Sequence, residues 1–252
     1  MKSVSELAKA QYLDWDSEFF GVQTARILPR QMDPESLGKV LDRLWSAEVD
    51  LVYWASDPSH PESSVAASLH GGLLVDTRCV FGKTLRLTPR RMTSKHCIGY
   101  YEGSLECGPE LEAIAVDCGK YSRFRSDPRI PNERCAELFR TWIRNSVSRS
   151  FADNVIVARD KHEVSGFVTV LAREGVGSIG LLGVGESYRG QGIGGELVDA
   201  ALSWFATQGC SKASVVTQFK NHAARKLYES NGFYMERTDH FYHFWNGAHD
   251  AV

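Results

Sequence analysis

Residues 179–198 read IGLLGVGESYRGQGIGGELV, and the reading of this run decides the fold. The segment up to Val184 is apolar and reads as a strand. Arg189, Gly190, Gln191, Gly192, Ile193, Gly194 and Gly195 follow as a turn. Ile193, Leu197, Ala201, Leu202 and Phe205 then share one face of a helix expected over residues 190–207. This arrangement suits an anion. Glycine lacks Cβ, so a phosphate can come close to the backbone. Unpaired N–H groups of a first helical turn point outward, and the helix dipole adds positive potential. Arg189 brings a full charge and a fork of donors. Each glycine inside a helix costs roughly 1 kcal/mol relative to alanine, a cost that a turn without a ligand does not explain. Gly190, Gly192 and Gly195 also fit G-x-G-x-x-G, but the acid a dinucleotide site needs at the end of the next strand is missing, since KASVVTQFK ends in Gln218 and Phe219. No G-K-[ST] closes the turn, which excludes a Walker-type P-loop.

A second run, NHAARKLYESNGF at 221–233, follows a helix and a strand later. The two runs together resemble the signature of the GCN5-related N-acetyltransferases (GNAT), V-x-P-x-Y-R-G-x-G-[IV]-G followed by N-x-x-A-x-x-x-Y-x-x-x-G-F. Glu186 stands where that family often has proline. The resemblance covers about residues 96–245. It implies an α/β (α+β) GNAT fold, with a mixed, mostly antiparallel central sheet flanked by helices, and acetyl-CoA as co-substrate. Leu182, Gly183 and Val184 would pair their backbone with the pantetheine arm. The amides from Arg189 through Gly190, Gln191, Gly192, Ile193 and Gly194 to Gly195 would hold the pyrophosphate. Asn221 would hydrogen-bond the pantetheine region, and Ala224 would leave room for it. Tyr228 is expected to act as the acid, because a phenol of pKa about 10 is protonated at neutral pH and can donate to a departing thiolate. Read outside the motif, Tyr228 is a core tyrosine on an amphipathic helix. The strand 177–184 contains no carboxylate, so Asp76, the acid inside LLVDTRCVF, is nominated as base beside its reading as a strand-end aspartate.

Three further segments, LDWDSEFFG (13–21), SRFR (122–125) and LFRTWIRNSV (138–147), resemble aminosugar N-acetyltransferases of the TDP-fucosamine type. Those enzymes carry a worn GNAT-like half before a complete one and serve bacterial surface polysaccharide biosynthesis. The resemblance implies a GNAT-like N-terminal domain over residues 1–92, a catalytic domain over 93–247 and a disordered tail at 248–252. It places Phe20, Arg123 and Phe124 at the acceptor, with packing as the alternative role for the phenylalanines and surface ion pairing for the arginine. The acceptor is expected to be a nucleotide-linked amino-deoxysugar; another small amine, or a non-catalytic acetyl-CoA-binding module, are the competing functions.

Elsewhere the pattern alternates strand and helix. Phe20–Leu28 reads as a strand, and a helix starts at Pro34 behind Asp33 as N-cap. Residues 121–131 read as a loop, and Asn132 as the cap of a helix to about Arg149. The polar run PRRMTSK (89–95) marks the domain boundary. The formal charge of −2 offers no field for nucleic acid. No run approaches the roughly 18 apolar residues of a membrane span, so a cytoplasmic protein without membrane insertion is expected. Six cysteines without a C-x-x-C pair read as reduced, buried thiols. His240 and His243 fall on opposite faces of a strand, and no metal is expected. The long apolar last strand offers an edge for a homodimer.

Overall fold

The computed structural model describes residues 9–85, 95–102, 108–161 and 163–247. The chain begins with β1 (Ala10–Tyr12), α1 (Asp14–Phe20), β2 (Thr24–Ile27), α2 (Pro34–Ser46), β3 (Leu51–Ser56), α3 (Pro61–Leu69) and β4 (Leu73–Thr84). There follow β5 (Cys97–Tyr100), α4 (Pro109–Cys118), α5 (Arg123–Ser126) and α6 (Asn132–Val147). The last third contains β6 (Asn154–Asp160), β7 (Glu163–Arg173), β8 (Val176–Val184), α7 (Ile193–Thr207), β9 (Lys212–Gln218), α8 (His222–Ser230) and β10 (Tyr234–Trp245).

Packing divides these elements into two units that interleave in sequence. The first takes its described residues from 9–78, 122–135 and 238–247, the second from 79–121 and 136–237. In the first unit β1 pairs antiparallel with β2, β2 runs parallel to β3, and β3 runs antiparallel to β10. Asp33 caps α2 as its position suggests, accepting from the Ser36 amide at 2.8 Å. The apolar stripe Leu37, Val40, Leu41 and Leu44 packs with Ala25, Ile27, Trp54 and Phe244.

In the second unit β5, β6, β7 and β8 form an antiparallel run, and β9 lies parallel to β8. Alternation along the strands gives each face its own helix. Ile156, Ala158, Val168 and Val170 pack with Ile193, Leu197, Val198, Ala201 and Phe205 of α7. Their neighbours Val155, Val157 and Phe167 turn the other way and pack with Leu111, Ile114 and Ala115 of α4. The sheet is thus mixed and mainly antiparallel with helices on it, as expected.

Local structure departs from the sequence reading at four places. Phe20 ends α1 rather than starting a strand, and β2 is confined to Thr24–Ile27. Ser17 anchors the first turn of α1 on the Leu13 carbonyl, and Gly21 closes the helix at φ 73. The loop at 121–131 contains α5, capped by Ser122. Asn132 is itself the first residue of α6. The helix expected from 190 begins at Ile193, because Gly190 and Gly192 sit at φ 77 and 89, outside helical geometry. Strand β10 lies between β3 and β4, so it is not the edge through which a homodimer was expected to pair. Of the thiols, Cys79, Cys135 and Cys210 are buried, but Cys97 is exposed. The expected boundary at 92, the tail 248–252 and Cys107 lie outside the described residues. No helix among the described residues is long and apolar enough to cross a membrane.

Candidate functional site

Strand β8 carries an irregularity where it matters. Val168 faces Leu182 and Val170 faces Ile179, so Gly180 and Leu181 together oppose Thr169. Such a bulge bends a strand and re-aims the residues beyond it. The Thr169 hydroxyl holds it, accepting from the Leu181 amide at 2.8 Å. On the other side, the pairing of β8 with β9 runs from Val176↔Lys212 to Ile179↔Val215 and stops. Both strands continue, β8 to Val184 and β9 to Gln218. Backbone groups of Gly180–Val184 therefore face away from any β9 ladder partner, and Gly180 and Val216 are exposed. Gly183 is a glycine because of α4: a Cβ there would lie 2.5 Å from Ile114 Cγ2 and 2.8 Å from Cys118 Sγ.

Beyond Val184 the chain makes a short 3-10 turn at 186–188 and reaches the glycines. The Arg189 amide donates to the Glu186 carbonyl, and the Gly195 amide to the Gly192 carbonyl. No backbone acceptor takes the amides of Gly190, Gln191, Gly192, Ile193 or Gly194 among the described residues. Gly192 is the N-cap of α7 and supplies no side chain to cover them. A Cβ at Gly190 or Gly192 would meet nothing within 4 Å, so positive φ, not crowding, requires glycine there. The Arg189 guanidinium is engaged: it pairs with Asp117 at the end of α4 and donates from Nε to the Val184 carbonyl at 3.2 Å. It ties the end of β8 to α4, so the uncommitted donors in this turn are backbone amides. Asp117 was not foreseen, since nothing local marks it.

Asn221 caps α8, accepting from the Ala224 amide at 3.1 Å, and Ala224 packs at the margin of the core. One turn later Tyr228 is 5% exposed, its ring 6.0 Å from Phe81 and 5.9 Å from Phe233. Burial, and then the neighbouring Cys118, push its pKa above that of a free phenol. The hydroxyl is therefore protonated throughout the physiological range. The Cys118 thiol donates to the Ile114 and Leu182 carbonyls at 3.3 Å each, and burial, with Asp117, pushes it up to about 12. It is a neutral thiol seated on β8, another neighbour the sequence did not announce.

The first unit has polar chemistry of a different kind. Asp239, sealed from solvent, accepts from Arg30 on one oxygen and Arg78 on the other, each at 2.7 Å. Burial alone would raise its pKa, but the two guanidinium groups outweigh that and hold it below the usual carboxylate range. Asp127, equally sealed, accepts from His243 Nδ1 at 2.6 Å and Trp245 Nε1 at 2.9 Å. Arg123 and Phe124 lie on α5, and the Phe124 ring is 5.4 Å from that of Phe20. Asp76 on β4 is half-buried and acts on Arg123 electrostatically, as does Asp16 on α1. Asp16 is raised by burial, which the nearby Arg123 and Tyr53 only partly offset. The structure thus gathers Phe20, Asp76, Arg123 and Phe124 in one unit, and places Tyr228 and the glycine turn in the other. Among the described residues no group of His, Cys, Asp or Glu is arranged to hold a metal.

Residues 119–233 match the acetyltransferase (GNAT) family. That match takes in the glycine turn and Tyr228, and the fold is the one its motifs implied. Among its relatives is the spore coat polysaccharide biosynthesis protein SpsD of Bacillus subtilis (strain 168), 32% identical over 149 residues. That match takes in 56% of this chain but only about half, 51%, of the relative. The dTDP-fucosamine acetyltransferase of Escherichia coli O6:H1 is 26% identical over 239 residues, covering 92% of this chain and 96% of that one. A solved GCN5-related N-acetyltransferase from Sphaerobacter thermophilus shares the fold, with a TM-score of 0.59 at 17% identity over 96% of this chain and 78% of that one.

Proposed function

We propose that this chain is a cytoplasmic N-acetyltransferase that moves the acetyl group of acetyl-CoA to a primary amine of a nucleotide-linked amino-deoxysugar. The observation that carries this reading is the end of the β8–β9 ladder at Ile179↔Val215, followed by five amides without acceptors at the start of α7. A strand with free backbone groups suits the amide-bearing pantetheine arm, and the open amides with the helix dipole suit a pyrophosphate. Acetyl-CoA supplies an activated thioester. Leu182, Gly183 and Val184 orient the arm, and Gly190–Gly194 hold the diphosphate. Arg189 shapes the turn through Val184 and Asp117. Tyr228 keeps its proton and gives it to the sulfur as the amine attacks the carbonyl and the C–S bond breaks. The amine's proton is assigned to Asp76. The acceptor class is supported by the two relatives whose names concern a polysaccharide and a dTDP-linked aminosugar.

The test is mass spectrometry of products after incubation with acetyl-CoA and a panel of TDP- and UDP-aminosugars. An N-acetylated sugar with matching release of coenzyme A is expected. Acetylation of amino acids or polyamines alone would overturn the acceptor class. Tight acetyl-CoA binding with no turnover of any amine would overturn the enzyme reading.

A further inference from the structure

Three arginines of the first unit, Arg30, Arg78 and Arg123, differ in what neutralises them. Arg30 and Arg78 share the buried Asp239. Arg123 has no such counterpart: among the described residues no carboxylate stands at ion-pair distance from it, and the polar group within its reach is the neutral Tyr53 hydroxyl. Its Nε is sealed from solvent without an acceptor, yet the residue as a whole keeps part of its surface open. Three rings fix the guanidinium. Its carbon lies 4.1 Å from the centroid of Phe124, 4.5 Å from Phe241 and 4.8 Å from Tyr53. The buried Tyr53 hydroxyl stands within hydrogen-bonding reach of Arg123 and of Asp16.

Ring faces attract a cation by about 0.5–2 kcal/mol each, but they accept none of its five N–H donors in the plane of the fork. Removing an ion from water costs several kcal/mol. Burial accordingly pulls Arg123 below the usual arginine range, with Asp16 and Asp76 opposing from a distance and Arg78 adding to the fall. A guanidinium that is held rigidly, dried on one side and left without an anion is prepared for one that arrives with a ligand. Its planar fork matches the paired oxygens of a phosphate or a carboxylate.

We propose that Arg123, held by Phe124, Phe241 and Tyr53, is an oxyanion subsite of the first unit, and that its anion is the diphosphate of the nucleotide-linked acceptor. The subsite rests on the aminosugar reading for the identity of the acceptor, but it can be measured without turnover. The probe is thymidine 5′-diphosphate, titrated by calorimetry into the full chain, with thymidine and glucuronate as comparison ligands. Arg123→Gln is expected to weaken thymidine 5′-diphosphate binding by about tenfold or more. It should leave coenzyme A affinity unchanged, which also reports that the chain is folded. Arg123→Lys keeps the charge and loses the fork, so a loss of several-fold is expected; this variant decides the matter if Arg123→Gln does not fold. A loss confined to glucuronate keeps the subsite and makes a carboxylate its anion. Wild-type affinity in both variants, or no binding of either anion to the unaltered chain, overturns the subsite. If the unaltered chain acetylates TDP-aminosugars and Arg123→Gln does so with the same KM, the subsite alone fails. If the unaltered chain acetylates no aminosugar while Arg123→Gln still loses thymidine 5′-diphosphate, the acceptor reading fails and the subsite stands.

Discussion

The turn at 189–195 and the ionic interior of the first unit both present charge or partial charge, the one at the surface with neutral amides and the other in the interior with full charges. The turn uses neutral backbone amides whose direction is set by Gly190 and Gly192 at positive φ. Its donors come from consecutive residues. The interior uses full charges, and its partners are remote in the chain: Arg30 and Arg78 lie 209 and 161 residues from Asp239, and Asp127 lies 116 from His243. The amides of the turn cost little to leave without a protein acceptor because residues 189–192 are exposed to water. Charges are costly to bury, so Asp239 and Asp127 are each held by two donors, which makes Arg123, with no carboxylate at ion-pair distance, informative.

That contrast can be broken at several points. The largest effect is expected where chemistry, not folding, is removed. Tyr228→Phe should lower kcat by about two to four orders of magnitude, the range for a positioned general acid, while acetyl-CoA affinity stays within a few-fold by calorimetry. An unchanged kcat would take Tyr228 out of the mechanism. In the first unit the large effect should fall on stability instead. Asp239→Ala strands two arginines; both keep some solvent contact, so a loss of about 3 kcal/mol is expected, toward the lower end for a broken buried pair. Urea unfolding measures it, and a loss below that of an ordinary surface pair would show that the network is dispensable.

Smaller effects sharpen the same distinction. Gly192→Ala forces a left-handed residue with a Cβ, at about 1–2 kcal/mol, and should weaken acetyl-CoA binding together with stability, because fold and ligand site there are one backbone. Wild-type affinity in this variant would separate them. His243 gives the mildest test, a slope with pH. Burial pulls its pKa down to about 4, against the upward pull of Asp127. In the unfolded chain an ordinary histidine titrates near 6.5. Between those values the unfolded state binds more protons, so stability falls as pH drops from about 6.5 to 4, by up to about 1.4 kcal/mol per pH unit. Asp127 is raised by burial but lowered further by its bonds to His243 and Trp245, so its contribution is lost at more acid pH still. Thermal unfolding across this range should show the slope, and His243→Gln should flatten it.

Several features were legible in the order of residues. Asp33 before Pro34 announced the start of α2, because a cap and a fixed φ act within one turn. The glycines of the turn announced both the end of β8 and the open amides. The reading failed where tertiary contacts overrule local pattern. Phe20 looks like the start of a strand, yet the last turn of α1 presents it to other rings of the same unit, Phe19 and Phe124. Arg189 looked like a spare phosphate donor, and only the approach of α4 shows it engaged by Asp117.

What the amino-acid order determined alone is the GNAT signature and the backbone geometry it encodes, since φ at a glycine and the phase of an amphipathic helix are properties of a few neighbouring residues. Tertiary structure decided which charges meet. Asp239, Asp127 and Arg123 look alike in the sequence, and it is the pairing of β3 with β10 and the packing of the segment around α5 that gives Asp127 two neutral N–H donors and leaves Arg123 without a carboxylate at ion-pair distance, while Asp239 meets two guanidinium groups. The physical reason is range: a dihedral is chosen locally, whereas the electrostatic cost of burial depends on every group the fold brings near.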